Sequence, residues 1–205
     1  MADWFVQECI EADEASLIFA AIESGEVSID GRDCIDRTPL MVAIEFKVPR
    51  LVEALLALGA NPNSKSNDGE TCLSRAIEAD DIESLKLLVE VGADLELASA
   101  GFYTPLSLAA IRGNTLMVEY QVQRGANIEA KGEMDETPLI EASFFGQAEA
   151  VAILLKNGSD RAAKNAFGRT ALEVAKDRDW PHVVAVLNDV GWVDKHSDNV
   201  RRERR

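Results

Sequence analysis

A chain of 205 residues, 47% of them apolar, is long enough to bury a core without disulfides or metal ions. Its three cysteines are widely spaced and odd in number, so they form neither a closed disulfide framework nor a CxxC metal pair. The net charge of −15 argues against binding to a phosphate backbone, and no apolar run approaches the roughly 20 residues of a membrane span, so we expect neither nucleic acid nor membrane as a partner.

The first segment, residues 1–32, is predicted to be a helical cap. Residues 17–25 have the pattern of a short apolar helix, and Trp4, Phe5, Val6 and Ile10 suit a preceding helix that covers it. Two alignments leave open whether the helix at Leu17 is the first or the second of its pair. The segment lacks the basic and then apolar order of a signal peptide, which together with the cysteine usage indicates a cytoplasmic protein.

From residue 33 onward the chain repeats itself every 33 residues. Five triplets mark the period: Thr38-Pro39-Leu40, Thr71-Cys72-Leu73, Thr104-Pro105-Leu106, Thr137-Pro138-Leu139 and Thr170-Ala171-Leu172. Five glycines agree with it, each 21 residues after the threonine: Gly59, Gly92, Gly125, Gly158 and Gly191. Two independent markers in phase predict five repeats, at 33–65, 66–98, 99–131, 132–164 and 165–194.

Each repeat is predicted to hold two helices. A proline in the first helical turn loses no hydrogen bond, and the threonine before it caps the exposed donors, so the first helix begins at Thr-Pro. The second helix shows apolar pairs at helical spacing and ends at the glycine. Alanines 33 residues apart let neighbouring helices approach closely; they are Ala43, Ala76, Ala109, Ala142 and Ala175.

The last repeat and the tail differ from the rest, as the end of a stack of repeats requires. Trp180 and Trp192 are bulky apolar residues that are expected to close the exposed end. Residues 195–205 are basic and polar, and we expect them to be disordered.

The motif Gly-x-Thr-Pro-Leu, followed by x-x-Ala and then by Leu-Leu-x-x-Gly-Ala-Asn or Asp, resembles the ankyrin repeat. The resemblance implies an all-α solenoid of helix-turn-helix units joined by β-hairpin loops, here five full repeats plus the N-terminal capping unit. One departure recurs, because the histidine that usually follows Thr-Pro-Leu is replaced; its positions hold Met41, Ser74, Ser107, Ile140 and Glu173. We expect stability to depend more on apolar packing as a result.

The sequence offers no parts for a catalytic, cofactor or metal site. There are only two histidines, the glycines belong to turns, and no phosphate-binding loop is present, so we expect no enzyme activity and no cofactor. The acid pair Asp80-Asp81 is expected to be a solvated turn. Cys72 stands at a helix start, where the helix dipole favours a reactive thiolate, but a packed and inert thiol is the favoured interpretation.

The resemblance implies a binding face on the concave side, formed by the loop tips and the exposed face of the first helices. Many of the few aromatic residues fall in or beside these positions, and aromatic anchors ringed by charge are typical of binding hot spots. The predicted partner-binding residues are Phe46, Glu70, Glu78, Tyr103, Ile111, Arg112, Met134, Glu136, Phe144, Phe145, Phe167 and Arg169.

Two functions follow from this reading. The first is a non-enzymatic adaptor or regulator, a monomer that binds a protein partner through the concave face. The second is an acidic stoichiometric inhibitor of a basic partner, such as an immunity protein or a mimic of nucleic-acid charge. The strong negative charge fits a basic partner and equally fits a surface that is simply kept soluble.

Overall fold

The computed structural model describes residues 21, 22, 24, 25 and 27–188, so most of the predicted cap, Trp192 and the predicted tail lie outside the described residues. Within the described part the secondary structure is α-helical. The helices are α1 (Pro39–Glu45), α2 (Pro49–Ala57), α3 (Cys72–Glu78), α4 (Ile82–Glu90), α5 (Pro105–Ile111), α6 (Thr115–Gln123), α7 (Pro138–Phe144), α8 (Ala148–Lys156), α9 (Ala171–Asp177) and α10 (Pro181–Asn188). No helix in these ranges combines the length and the apolar content that crossing a bilayer requires.

The helices form consecutive pairs, and the first helix of each pair begins where the sequence predicts. The threonine before the helix is extended, and its hydroxyl accepts a hydrogen bond from the backbone N–H three residues on; for Thr38 and Met41 the distance is 3.3 Å. Proline occupies the first helical position in α1, α5 and α7. The prediction of helix starts at Thr-Pro is therefore confirmed.

Four of the five positions at which the histidine is replaced are filled in two different ways. Met41 and Ile140 are buried, as apolar packing requires. Ser74 and Glu173 instead close a capping box, in which the Thr71 N–H donates to Ser74 Oγ at 2.8 Å and the Thr170 N–H donates to Glu173 Oε2 at 2.8 Å. The greater dependence of stability on apolar packing stays a prediction, and at these two helices a polar side chain satisfies the N–H of the capping threonine.

The described contacts divide the chain into two compact units, residues 1–100 and 101–205. In the first unit α1 packs on α3 and α2 packs on α4. In the second unit α5, α7 and α9 form one row and α6, α8 and α10 form another, with the two helices of each pair in contact. The repeated alanines of the first helices are fully buried, for example Ala43 in the first unit and Ala142 in the second.

Side chains of the second unit also tie each helix pair to the one before it. Gln147 Nε2 donates to the Ile111 carbonyl at 3.0 Å, and Trp180 Nε1 donates to the Phe144 carbonyl at 3.0 Å. The Trp180 ring lies so close to Gly146, whose φ is +77°, that a Cβ built on this glycine would come within 2.9 Å of the ring. Trp180 therefore packs over the turn between α7 and α8 rather than acting only as an apolar lid.

The loops between pairs are tight turns, and no strand is assigned to them among the described residues. Four of these turns, at 33–37, 66–70, 132–136 and 165–169, share two backbone hydrogen bonds, as from Gly132 N to Glu136 O at 2.9 Å and from Asp135 N to Gly132 O at 3.2 Å. Strand pairing is limited to a single isolated bridge between Lys65 and Thr71. The expected β-hairpins are thus reduced here to their turns.

Candidate functional site

A groove of about 230 Å³ opens on the second unit, where the turns before α7 and α9 meet the exposed sides of those helices. It is lined by residues from three consecutive helix pairs: Gly101, Tyr103, Glu133, Met134, Glu136, Ile140, Glu141, Phe144, Phe145, Asn165, Phe167, Arg169 and Val174. The lining is rich in aromatic and acidic side chains. The groove therefore offers a partner both apolar surface and negative charge.

The turns hold the groove residues in place through their own hydrogen bonds. Asn165 is buried, and its Oδ1 accepts from the N–H groups of Phe167 and Arg169, both at 3.1 Å. This side chain fixes the turn and leaves the Phe167 ring in solvent. The neighbouring turn is joined to it, because the Ala166 N–H donates to the Met134 carbonyl at 2.8 Å.

Apolar side chains at the groove are unusually exposed. The exposed fraction is 45% for Met134, 42% for Phe145 and 65% for Phe167. Phe144 packs edge to face on Phe145, with ring centroids 5.1 Å apart, and carries the Arg178 guanidinium 4.1 Å above its own centroid. Binding of a partner over this cluster would be favourable, because it would remove apolar surface from water and because the rings offer contacts of specific geometry.

Tyr103 reaches the groove through an unusual turn. Gly101 and Phe102 both have left-handed backbone angles, with φ of +75° and +63°. A Cβ on Gly101 would lie 2.9 Å from the Tyr103 ring, so glycine permits the ring to lie flat against the turn. Burial and the nearby acids, first of them Glu141, raise the pKa of the Tyr103 hydroxyl, which keeps it a neutral hydrogen-bond donor.

Glu141 is a buried carboxylate with no counter-charge. Only 7% of the residue is exposed, and no described residue donates a hydrogen bond to its carboxylate or pairs with it. Burial and the negative charge of Glu136 together raise the pKa of Glu141 to about 7. A carboxylate in this state is destabilising until a cation or a donor reaches it.

The remaining charges of the groove are unbalanced. Glu133 and Glu136 add two acids to Glu141, while Arg169 is the one cation in the lining. Arg169 is already engaged, since its Nη1 lies 2.7 Å from Asp177 Oδ2. Its Nε is buried and has no acceptor among the described residues.

The predicted partner-binding residues divide into those that the groove gathers and those that lie elsewhere. Seven of them line it: Tyr103, Met134, Glu136, Phe144, Phe145, Phe167 and Arg169. Ile111 and Arg112 belong to the same unit but not to the groove lining, and Phe46, Glu70 and Glu78 belong to the first unit. The sequence reasoning missed Glu141, although it stands in the repeat position that Val42 and Val174 fill with a buried apolar side chain.

In the first unit several acids are engaged within the chain. Glu70 accepts a hydrogen bond from Ser74 Oγ at 2.6 Å, and Glu45 pairs with Arg37 at 2.6 Å. Asp81, expected to be solvated, is instead 7% exposed and caps α4 by accepting from the N–H groups of Glu83 and Ser84. The Asp81 carboxylate therefore caps the N-terminus of α4 and is not available to a partner.

Other candidate chemistry in the described residues is explained by packing. Cys72 is fully buried, and burial raises the pKa of its thiol to about 12, which makes it an inert core residue. His182 is exposed, with its Nε2 2.9 Å from the Gly146 carbonyl. No set of three His, Cys, Asp or Glu residues in the described ranges is grouped to hold a metal ion.

A family model for ankyrin repeats, which represents three copies of the repeat, matches residues 6–99 and 97–165. Ankyrin repeat domain-containing protein 63 of Homo sapiens is 34% identical over 112 residues, which is 52% of this chain and 30% of that protein. NF-kappa-B inhibitor delta of Mus musculus is 32% identical over 108 residues, which is 49% of this chain and 33% of that protein.

Ankyrin repeat, SAM and basic leucine zipper domain-containing protein 1 of Callithrix jacchus is 30% identical over 114 residues, or 53% of this chain and 24% of that protein. The chain thus corresponds to a third or less of the length of these relatives. The family match covers well over half of the chain, and the helix pairs recur at the period of its sequence markers. This chain belongs to the ankyrin-repeat family.

Proposed function

We propose that the chain is a non-enzymatic adaptor or regulator that binds a protein partner through the groove on its second unit. Ankyrin repeats are in general modules of protein–protein interaction, and one relative is by its name an inhibitor of NF-kappa-B. The division into five repeats with a cap at residues 1–32 is part of this proposal. So are a monomeric state and a cytoplasmic site of action, the latter supported by the widely spaced, odd-numbered cysteines of the sequence.

The exposed aromatic cluster is the observation that carries the proposal. Phe145 and Phe167 keep 42% and 65% of their surface in water although they lie beside a groove. Covering such rings contributes apolar burial at about 25 cal/mol per Å², and the acids around them supply orientation and association rate. The groove has the composition of a hot spot with a charged rim.

The alternative, an acidic inhibitor that blocks a basic partner with the acids of the first unit, has weaker support. Net charge of −15 favours it, as does the exposed position of Glu78. Yet Glu70 and Asp81, two of the acids it depends on, are hydrogen-bonded within the chain. An inhibitor of this kind would lose affinity steeply with salt and would be insensitive to changes at Phe167.

The test is affinity capture of partners from cell lysate with matched surface variants. Phe145→Ala and Phe167→Ala should each weaken capture of the same partner by about tenfold or more, as truncation of a hot-spot residue does. Leu116→Ala is the control, since Leu116 is 52% exposed on α6 and lies outside the groove. Circular dichroism and melting should be unchanged for all three. Full capture by both phenylalanine variants would place the binding site elsewhere.

A further inference from the structure

We propose that the groove receives an arginine side chain from a basic segment of the partner protein, with the Glu141 carboxylate as its counter-ion. The inference rests on the proposed function and names the chemistry of the ligand at that site. It depends on three observations: a buried carboxylate without a partner, a cation at the same position of another repeat, and rings that already accept guanidinium groups.

The first observation is the position of Glu141 at the groove. The residue is 93% buried, yet it lines the groove, and no described donor reaches its carboxylate. Ile140 and Phe144, its neighbours in the lining, are apolar and cannot compensate the charge. An incoming cation that displaces water here would form a charge-assisted hydrogen bond in a site of low polarity, where such a bond is strong.

The second observation comes from the matching position in the first unit. Arg75 stands 66 residues before Glu141, at the same place in its repeat. Its guanidinium lies 3.6 Å from Glu45 and 3.5 Å from Asp68, so the charge at this position is balanced by carboxylates. At Glu141 the sign is reversed and the balancing group is missing from the described chain. A guanidinium supplied from outside would restore the same kind of pairing.

The third observation is that groove rings already pack against arginine. Arg178 lies 4.1 Å above the centroid of Phe144, and Arg169 lies 5.7 Å from the centroid of Phe167. The planar, weakly hydrated guanidinium suits such stacking better than an ammonium group. Arg169 does not neutralise Glu141, because its Nη1 is bound to Asp177, and the groove keeps an excess of acids.

The test uses the full ¹⁵N-labelled chain and two short peptides, acetyl-Ala-Arg-Ala-amide and its citrulline counterpart, which has the same shape without the charge. The arginine peptide should shift the amide resonances of Phe144, Phe145 and Phe167. We expect its affinity to exceed that of the citrulline peptide by about tenfold, the effect of one hydrogen bond between charged groups. Equal affinity for the two peptides would overturn the inference.

Two variants assign the effect to one carboxylate. Glu141→Gln removes the charge and keeps the shape, and it should reduce arginine binding by about tenfold, to the level of citrulline. Glu149→Gln makes the same change at an exposed residue of α8 outside the groove, and it should bind like the parent chain. Parent-like binding by Glu141→Gln, with folding confirmed by circular dichroism, contradicts the proposed role.

Partner capture separates this inference from the function on which it rests. If Phe167→Ala loses the partner while Glu141→Gln retains it fully, the groove binds a protein but not through a buried arginine. If neither variant affects capture, the proposed function fails as well. Loss of capture in both variants, with retention in Glu149→Gln, supports the two proposals together.

Discussion

At the scale of a single residue, Glu141 couples the stability of the second unit to pH. Burial and the charge of Glu136 raise its pKa from 4.5 to about 7, so the folded chain holds a proton that the unfolded chain releases in this range. The stability that comes from the protonated form is complete below about pH 4.5 and is lost as the pH rises through about 7. Tyr103, Glu133 and Arg169 line the same groove, and α5 contributes no titratable side chain.

The substitution Glu141→Gln should remove this dependence. A pKa difference of one unit between the folded and the unfolded chain corresponds to about 1.4 kcal/mol. The free energy of unfolding of the variant should therefore exceed that of the parent chain by up to about 3 kcal/mol above pH 7, and by nothing below pH 4.5. Urea denaturation at a series of pH values measures the difference. Glu149→Gln is the control, since Glu149 is exposed on α8 and lies outside the groove. Parallel curves for Glu141→Gln and the parent would contradict the prediction.

At the scale of the helix, α9 lacks the proline that three of the other first helices have at their first position. α1, α5 and α7 begin with proline, whereas α9 begins with Ala171. Thr170 has φ of −82° and ψ of 166°, the extended conformation that a following proline requires. Ala171→Pro should therefore stabilise the chain by about 0.4–1 kcal/mol, mainly by restricting the unfolded state.

The urea midpoint measures that change, with the slope of the transition expected to stay constant. Ala175→Pro is the contrasting variant, since Ala175 is fully buried in the middle of α9. There a proline removes a helical hydrogen bond and should cost about 3 kcal/mol or more. A lower midpoint for Ala171→Pro would show that this helix start cannot accept the ring.

The helices were predictable because their signals are local. Thr137 followed by Pro138 specifies a cap and a first turn within a few residues, and the 33-residue period extends this to each repeat. The capping role of Ser74 was not predicted, since a serine side chain can choose among several nearby partners and only the folded geometry selects one. The β-hairpins were expected from the family, but no strand is assigned to the described turns, and strand pairing there is limited to the isolated bridge between Lys65 and Thr71.

The groove was predictable only in part. Phe144 and Phe167 were found because the period assigns them to exposed positions of the turns and first helices. Glu141 was missed because a glutamate is expected in water, and the sequence alone does not show that the folded chain buries it. The available signal was a mismatch within the repeat, where Leu108 and Val174 fill the same position with apolar side chains.

At the scale of the whole chain, a net charge of −15 should oppose folding through self-repulsion. Raising the salt from about 10 mM to 150 mM shortens the screening length from about 30 Å to 8 Å. Sodium chloride should therefore raise the melting temperature at pH 7, as followed by circular dichroism. Near pH 4.5, the isoelectric point of the sequence, the increase should disappear. An equal increase at both pH values would point to a general salt effect instead.

The regularity of the repeat favours stability, whereas Glu141 departs from that regularity at the proposed recognition site. A design that averaged the repeats into one ideal sequence would place valine at this position, as at Val42 and Val174, and would give a more stable protein. The same change would remove the buried Glu141 carboxylate, which has no partner among the described residues. If recognition depends on this carboxylate, natural variants with an apolar residue at this position should gain stability and lose binding specificity through the same substitution.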